Sequence, residues 1–272
     1  MDANLRIGAV NYLNTKPLIY DLEALAPGAE LVLDVPSRLA DLLARGRLDV
    51  GLIPAIEYFR GGPYTVVPGI AIASRGPVLS VTLFSRVPWS GIRRVALDEG
   101  SRTSAALAQI LLRKRHGVCP EIVPLPLDQA AEDTRADAVL LIGDRAMRAC
   151  LPGFAHAFDL GREWHDWTGL PFVYAFWAVR EGAELGAVAE ALREAKRRGC
   201  ARCGEIAHRE APGLGLDAGF CRRYLAHIIH FDLGPREQAG LNRYYQLACE
   251  LGLARRGVEL EFYGHADLAQ SR

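Results

Sequence analysis

The sequence predicts an α/β protein of two lobes with a ligand cleft between them. Three observations carry that expectation. Apolar, strand-like runs alternate with amphipathic helical stretches through the first third of the chain, the pattern of a largely parallel sheet. A break at "RVPWSGIRR" is followed by a second series of the same kind. The strand-like "PFVYAFWAVRE" then leads into a mainly helical remainder from Ala183 onward, as if the chain returned to its first lobe. With 272 residues, half of them hydrophobic, the chain can form one large domain or two lobes of ordinary size.

The elements follow in order. "LRIGAV" reads as a strand, "TKPLIYDLEAL" as a helix with Pro17 in its first turn, and "AELVLDV" as a second strand. "PSRLADLLARG" sets Leu39, Leu42 and Leu43 on one helical face, and "LDVGLIP" is a strand closing at Pro54. "YTVVPGIAIAS" and "VLSVTLFSR" are extended runs separated by "RGP". In the second series "RRVALDEG" is a strand, and "SRTSAALAQILLRKRHG" is a helix with a hydroxyl start and a glycine stop. "EIVPLPL", "ADAVLLIGD" and "FAHAFDLG" are extended, and "RAMRAC" is a short helix. The later helices are "AVAEALREAKRRG", "GFCRRYLAHII" and "PREQAGLNRYYQLACELGL", with "GVELEFYG" as a last extended piece. Crossings near 85–92 and 172–180 are expected to form a hinge. They divide the chain into a first lobe of residues 1–86 and 178–272 and a second of 87–177.

Composition narrows the function. Lys+Arg and Asp+Glu are both 32, so a net charge of zero offers no basic footprint for nucleic acid. No apolar run is long enough to span a bilayer, and the first residues lack the pattern of a secretory signal. The expectation is a cytoplasmic protein with no membrane partner. The six cysteines do not form a disulfide framework, and Cys200 and Cys203 stand alone as a C-x-x-C without a second pair. The seven histidines contain no zinc-binding pair, and His165, between Trp164 and Trp167, is the one expected near a cleft. No metal is expected.

Chemistry is expected where strands end. "YLNT" puts Asn14 and Thr15 after the first strand, either to cap the next helix or to hold a small anion. "DVPSRLA" supplies Ser37, and "LLIGDRA" supplies Gly143 and Asp144. "DEGSRTSAA" is the densest loop: Gly100, Ser101, Arg102, Thr103 and Ser104 lead straight into a helix, whose free N–H groups favour carboxylate or phosphate. It has no Walker spacing. Ser80, in "GPVLS", lacks a nucleophile elbow and reads as a hydrogen-bond donor to ligand or backbone. Asp49 and Glu57 read more simply as turn and solvated residues. Taken together, the loops suggest a two-lobe binder of a small anionic molecule.

In combination and order, "RIGAVNYLNTKPL", "VPSRLADLLARGRLDVGLIPAIEY", "GPVLSVTLFS", "DEGSRTSAAL", "LLIGDRA" and "DLGREWHDWTGLPFVYAFWAVR" resemble the chorismate dehydratases of the futalosine route to menaquinone. The resemblance covers about residues 5 to 180. It implies a type II periplasmic-binding-protein-like fold and dehydration of chorismate to 3-[(1-carboxyvinyl)oxy]benzoate, without a cofactor. A base is still needed, and the matched loops offer no histidine or evident buried glutamate. The substrate's enolpyruvyl carboxylate is therefore expected to take the proton, with Asn14 as the catalytic residue that hydrogen-bonds and orients the reacting centre. Ser80 and the hydroxyls of 101–104 would hold carboxylates, with Thr15, Ser37, Gly100, Arg102, Gly143 and Asp144 completing the substrate site. Two rivals are the sister enzyme making 1,4-dihydroxy-6-naphthoate and a non-catalytic small-anion binding protein. The first is expected to carry a histidine near "LLIGD", and the second a signal peptide.

Overall fold

A computed structural model describes residues 4–264, so His265 lies outside the described residues. The strands in chain order are β1 Arg6–Val10, β2 Glu30–Asp34, β3 Val50–Pro54, β4 Tyr64–Ser74, β5 Val81–Ser85 and β6 Arg94–Asp98. They continue as β7 Glu121–Leu125, β8 Ala138–Ile142, β9 His156–Asp159, β10 Phe172–Arg180 and β11 Ile229–His230. Among the described residues these strands form two sheets. The first has the order β11-β4-β10-β3-β1-β2, and the second the order β7-β6-β8-β5-β9.

The chain leaves the first sheet between Ser74 and Val81 and returns between Asp159 and Phe172. Both crossings differ from the expected 85–92 and 172–180. β5 pairs with β8 and β9 in the second sheet, and β10 lies wholly in the first between β3 and β4. The reason is physical: β5 and β10 are buried on both faces, so their near-continuous apolar runs carry no sign of which sheet they join. The expected largely parallel sheet is also corrected. β1 runs parallel to β2 and β3, and β6 to β7 and β8, but the strands beside each crossing pair antiparallel.

Three local differences matter for the site. The helix expected over "TKPLIYDLEAL" is a 3-10 segment, Leu13–Ile19, and a four-residue helix, Leu22–Leu25. Asp21 between them has φ 56, a left-handed conformation that short polar side chains tolerate. "REWHDWT", unassigned from sequence, lies in a helix, Leu160–Thr168, capped by the Asp159 carboxylate and ended by Gly169. "GFCRRYLAHII" gives a helix, Ala218–Arg223, that widens into a π-helical turn, Tyr224–Ile228.

The core is continuous between the sheets. Trp164, Phe172 and Tyr244 meet edge to face, with centroids 5.3 Å and 5.0 Å from Phe172. Burying rings of this size is worth about 1.5–3 kcal/mol each. Helix Ala187–Ala201 lies so close to the 3-10 segment that a Cβ on Gly199 would sit 2.0 Å from the Pro17 carbonyl oxygen. Glycine at 199 therefore seats the segment that carries Asn14. "GVELEFYG" contributes a single bridge, Val66 to Phe262.

Candidate functional site

The carboxyl ends of β1, β3, β6 and β8 face one another across a cavity of about 510 Å³, its open mouth included. Tyr12, Asn14, Pro54 and Tyr174 line it from the first sheet, and Ser80, Ser101, Thr103, Ser104 and Gly143 from the second. This is the crevice where open α/β sheets bind ligands. Among the described residues, none that lines it is Arg, Lys or His.

Asn14 reaches the wall because the chain turns tightly after β1. Tyr12 takes the cap position with no side-chain cap, and Thr15 N–H donates to the Tyr12 carbonyl at 3.0 Å. Neither Asn14 nor Thr15 is therefore a helix cap. Asn14 Nδ2 donates to the Tyr224 hydroxyl at 3.2 Å, and that hydroxyl donates to Ser80 Oγ at 2.7 Å. Asn14 Oδ1 is buried with no hydrogen-bond partner among the described residues. Burial of Tyr224 pushes its phenol well above the ordinary tyrosine value, so it stays protonated.

The crossing that precedes β5 is fixed by one carboxylate. Asp159 accepts from Val78 N–H at 2.9 Å and Leu79 N–H at 2.7 Å, and also caps the Leu160–Thr168 helix through Arg162 N–H at 2.9 Å. Leu79 is held at φ 63, a strained conformation for a branched side chain. Ser80 follows it directly, and its carbonyl accepts from Gly143 N–H at 2.8 Å.

The 100–104 loop is built by Asp98, whose Oδ1 accepts from Gly100 N–H at 2.9 Å. Ser101 stands before the Arg102–Ile110 helix without capping it. The Thr103 hydroxyl accepts from Ile56 N–H at 3.2 Å, and its carbonyl accepts from the Tyr244 hydroxyl at 3.1 Å. Desolvation pushes the Asp98 carboxyl above its ordinary range.

Arg102 requires a correction. Its guanidinium binds Asp41 at 2.8 Å and Glu57 at 3.0 Å, away from the cavity wall. Thr15, Ser37, Gly100 and Asp144 also do not line the cavity. Thr15 is fully buried, and its hydroxyl has no partner among the described residues. The other three join the sheets around it: Ser37 N–H donates to the Gly100 carbonyl at 3.2 Å, and Asp144 accepts from Leu13 N–H at 3.1 Å. Burial raises the Asp144 pKa. Asp49 is paired to Arg6 and Arg180 at a strand end remote from the cavity, and His165 is not part of the wall. Among the described residues no group of three His, Cys, Asp or Glu is placed to hold a metal ion, and no helix is long and apolar enough to cross a membrane.

Sequence reasoning missed Tyr224, Tyr174 and Asp159. Tyr224 carries no local signal, since it is an aromatic residue in an amphipathic helix. Asp159 could have been found as an acidic residue between a strand and a helix, the N-cap position.

Two α/β sheets, crossed twice by the chain and enclosing a polar-tipped cavity at their strand ends, define a periplasmic-binding-protein-like fold. Solved structures share it: protein AF1704 from Archaeoglobus fulgidus has a TM-score of 0.73 at 20% identity, covering 93% of this chain and 99% of that one. The periplasmic aliphatic sulphonate binding protein SsuA from Escherichia coli has a TM-score of 0.63 at 19% identity, covering 95% and 90%. A family model described as menaquinone biosynthesis matches residues 5–250, and the chain belongs to that family. A chorismate dehydratase from Thermus thermophilus is 33% identical over 257 residues, 88% of this chain and 93% of its own length. Another from Campylobacter jejuni is 28% identical over 254 residues, covering 91% and 99%.

Proposed function

We propose that the protein is a chorismate dehydratase, a lyase that removes water from chorismate to give 3-[(1-carboxyvinyl)oxy]benzoate in the futalosine route to menaquinone, in the cytoplasm. The observation that carries this reading is the Asn14–Tyr224–Ser80 hydrogen-bond chain, which has Asn14 and Ser80 on the wall of a cavity where no charged side chain is found among the described lining residues. The names of the two relatives support it.

Chorismate brings two carboxylates, one hydroxyl and its own driving force. In the reaction the C3–H proton passes to the enolpyruvyl carboxylate while the C3–H electron pair forms the C3–C4 double bond. The C4–O bond breaks, and the leaving hydroxyl takes that proton away as water. Aromatisation makes the step favourable, so the protein's part is orientation and electrostatics. Asn14 Oδ1 accepts from the C4 hydroxyl and orients its oxygen towards the enolpyruvyl carboxyl that delivers the proton. Hydroxyls of Ser80, Ser101 and Ser104, with free N–H groups of the Arg102–Ile110 helix, hold the carboxylates. Each hydrogen bond to a charged oxygen contributes about 1.5–3 kcal/mol. The segments 75–80 and 160–171 act as the hinge through which the lobes open for substrate.

Purified protein is incubated with chorismate without added metal or cofactor. The expected result is loss of the diene absorbance and a product lighter by one water, with Asn14→Ala folded but retaining little of the activity. Chorismate bound but unchanged would favour a binding protein, and near-normal turnover by Asn14→Ala would remove Asn14 from the mechanism.

A further inference from the structure

We infer that Tyr224 is a positioning residue that sets which atoms Asn14 and Ser80 present to the substrate, an inference that deepens the dehydratase reading and rests on it. Its hydroxyl is the middle of a directed chain: it accepts from Asn14 Nδ2 and donates to Ser80 Oγ. Accepting from an amide nitrogen fixes the Asn14 side chain with its carbonyl on the other side. That carbonyl, Oδ1, is the buried atom without a partner among the described residues. Donating to Ser80 Oγ occupies one of its lone pairs and directs the serine's own hydrogen elsewhere, while Ser80 lines the cavity.

The pair is thus given opposite ends, an acceptor at Asn14 and a donor at Ser80. Chorismate requires both, a partner for its hydroxyl hydrogen and partners for its carboxylate oxygens. An unpaired buried carbonyl costs about 1–3 kcal/mol, and substrate supplies the missing donor. Without the phenol oxygen the amide is free to rotate by half a turn, and both asparagine and serine lose their assigned roles. Tyr224 opens a π-helical turn, Tyr224–Ile228, a kind of distortion frequent at functional sites. Its burial keeps it protonated, so the direction of the chain is constant through neutral pH.

The test is Tyr224→Phe, which keeps the ring and deletes one oxygen. We expect kcat on chorismate to fall by about tenfold or more with KM within about threefold, since orientation is lost and the cavity keeps its shape. Hydrogen exchange of the Asn14 side-chain amide, assigned by its disappearance in Asn14→Ala, supplies a readout independent of turnover. In the unsubstituted protein one of its two protons is protected, and in Tyr224→Phe that protection is lost. Turnover within twofold of the unsubstituted enzyme, a change in KM alone, or an amide unprotected in the unsubstituted protein would overturn the inference. If the unsubstituted protein leaves chorismate unchanged, the dehydratase reading fails, and the amide measurement still judges the directed chain.

Discussion

Asp159→Asn tests whether the site is held by the crossing between the sheets. The carboxylate takes three backbone N–H groups: Val78 at 2.9 Å, Leu79 at 2.7 Å and Arg162 at 2.9 Å. Hydrogen bonds to an ionised acceptor contribute about 1.5–3 kcal/mol each. An asparagine has one acceptor oxygen, so at least one N–H meets an amide NH2 and the others face a neutral carbonyl. The expected loss is about 2–4 kcal/mol of stability, one charged bond removed and the rest weakened. Leu79 sits at φ 63, and a left-handed residue costs about 1–2 kcal/mol. That strain persists because Asp159 over-determines the turn. With the clamp weakened, Leu79 relaxes and Ser80, the next residue, moves off the cavity wall. Urea unfolding at constant slope reads the stability, and chorismate turnover well below the melting temperature reads the position of Ser80. We expect kcat to drop by about tenfold or more. A stability change under about 0.5 kcal/mol together with unchanged kcat would refute the reasoning.

The ends of strands were the legible part of the sequence. Asn14, Ser80, Ser101, Thr103, Ser104 and Gly143 each follow or open an apolar run, and all six line one cavity. Such polar residues at strand ends are visible because an alternating or continuous apolar pattern stops there. What that pattern does not encode is direction about the helix axis. Arg102 stands beside Ser101 and Thr103 in the chain, yet its side chain leaves the helix towards Asp41 and Glu57. Distance along the chain hid the rest. Tyr224 is 210 residues from Asn14, and nothing local separates it from Tyr244, a neighbouring aromatic that is also fully buried. The lobe boundaries were misplaced for a related reason. Sheet membership is a long-range property, and β5 reads the same in either sheet.

Two further outcomes follow from the walls of the cavity. Gly143 has φ 60, and a Cβ there would lie 2.8 Å from Tyr12 Cε2, where carbon atoms rest at about 3.5–4.0 Å. Gly143→Ala should lose about 1–2 kcal/mol of stability and raise KM, read by thermal unfolding and steady-state kinetics; unchanged values would refute both the backbone cost and the contact with Tyr12. Asp98 gives a dependence on pH whose sign can be worked out. Its carboxyl is 3% exposed, and desolvation raises its folded pKa above the unfolded value. A raised acid favours the fold fully below the unfolded pKa, and that contribution is lost as pH rises through the folded pKa. Asp98→Asn removes the titration and keeps an oxygen for Gly100 N–H. The unsubstituted protein should therefore gain stability relative to Asp98→Asn when pH falls from about 7 to about 4. Chemical denaturation at both pH values measures the difference. If the gap moved the other way, the Arg145 guanidinium 3.8 Å from Asp98 would outweigh burial, and the loop before the Arg102–Ile110 helix would be held by an ion pair.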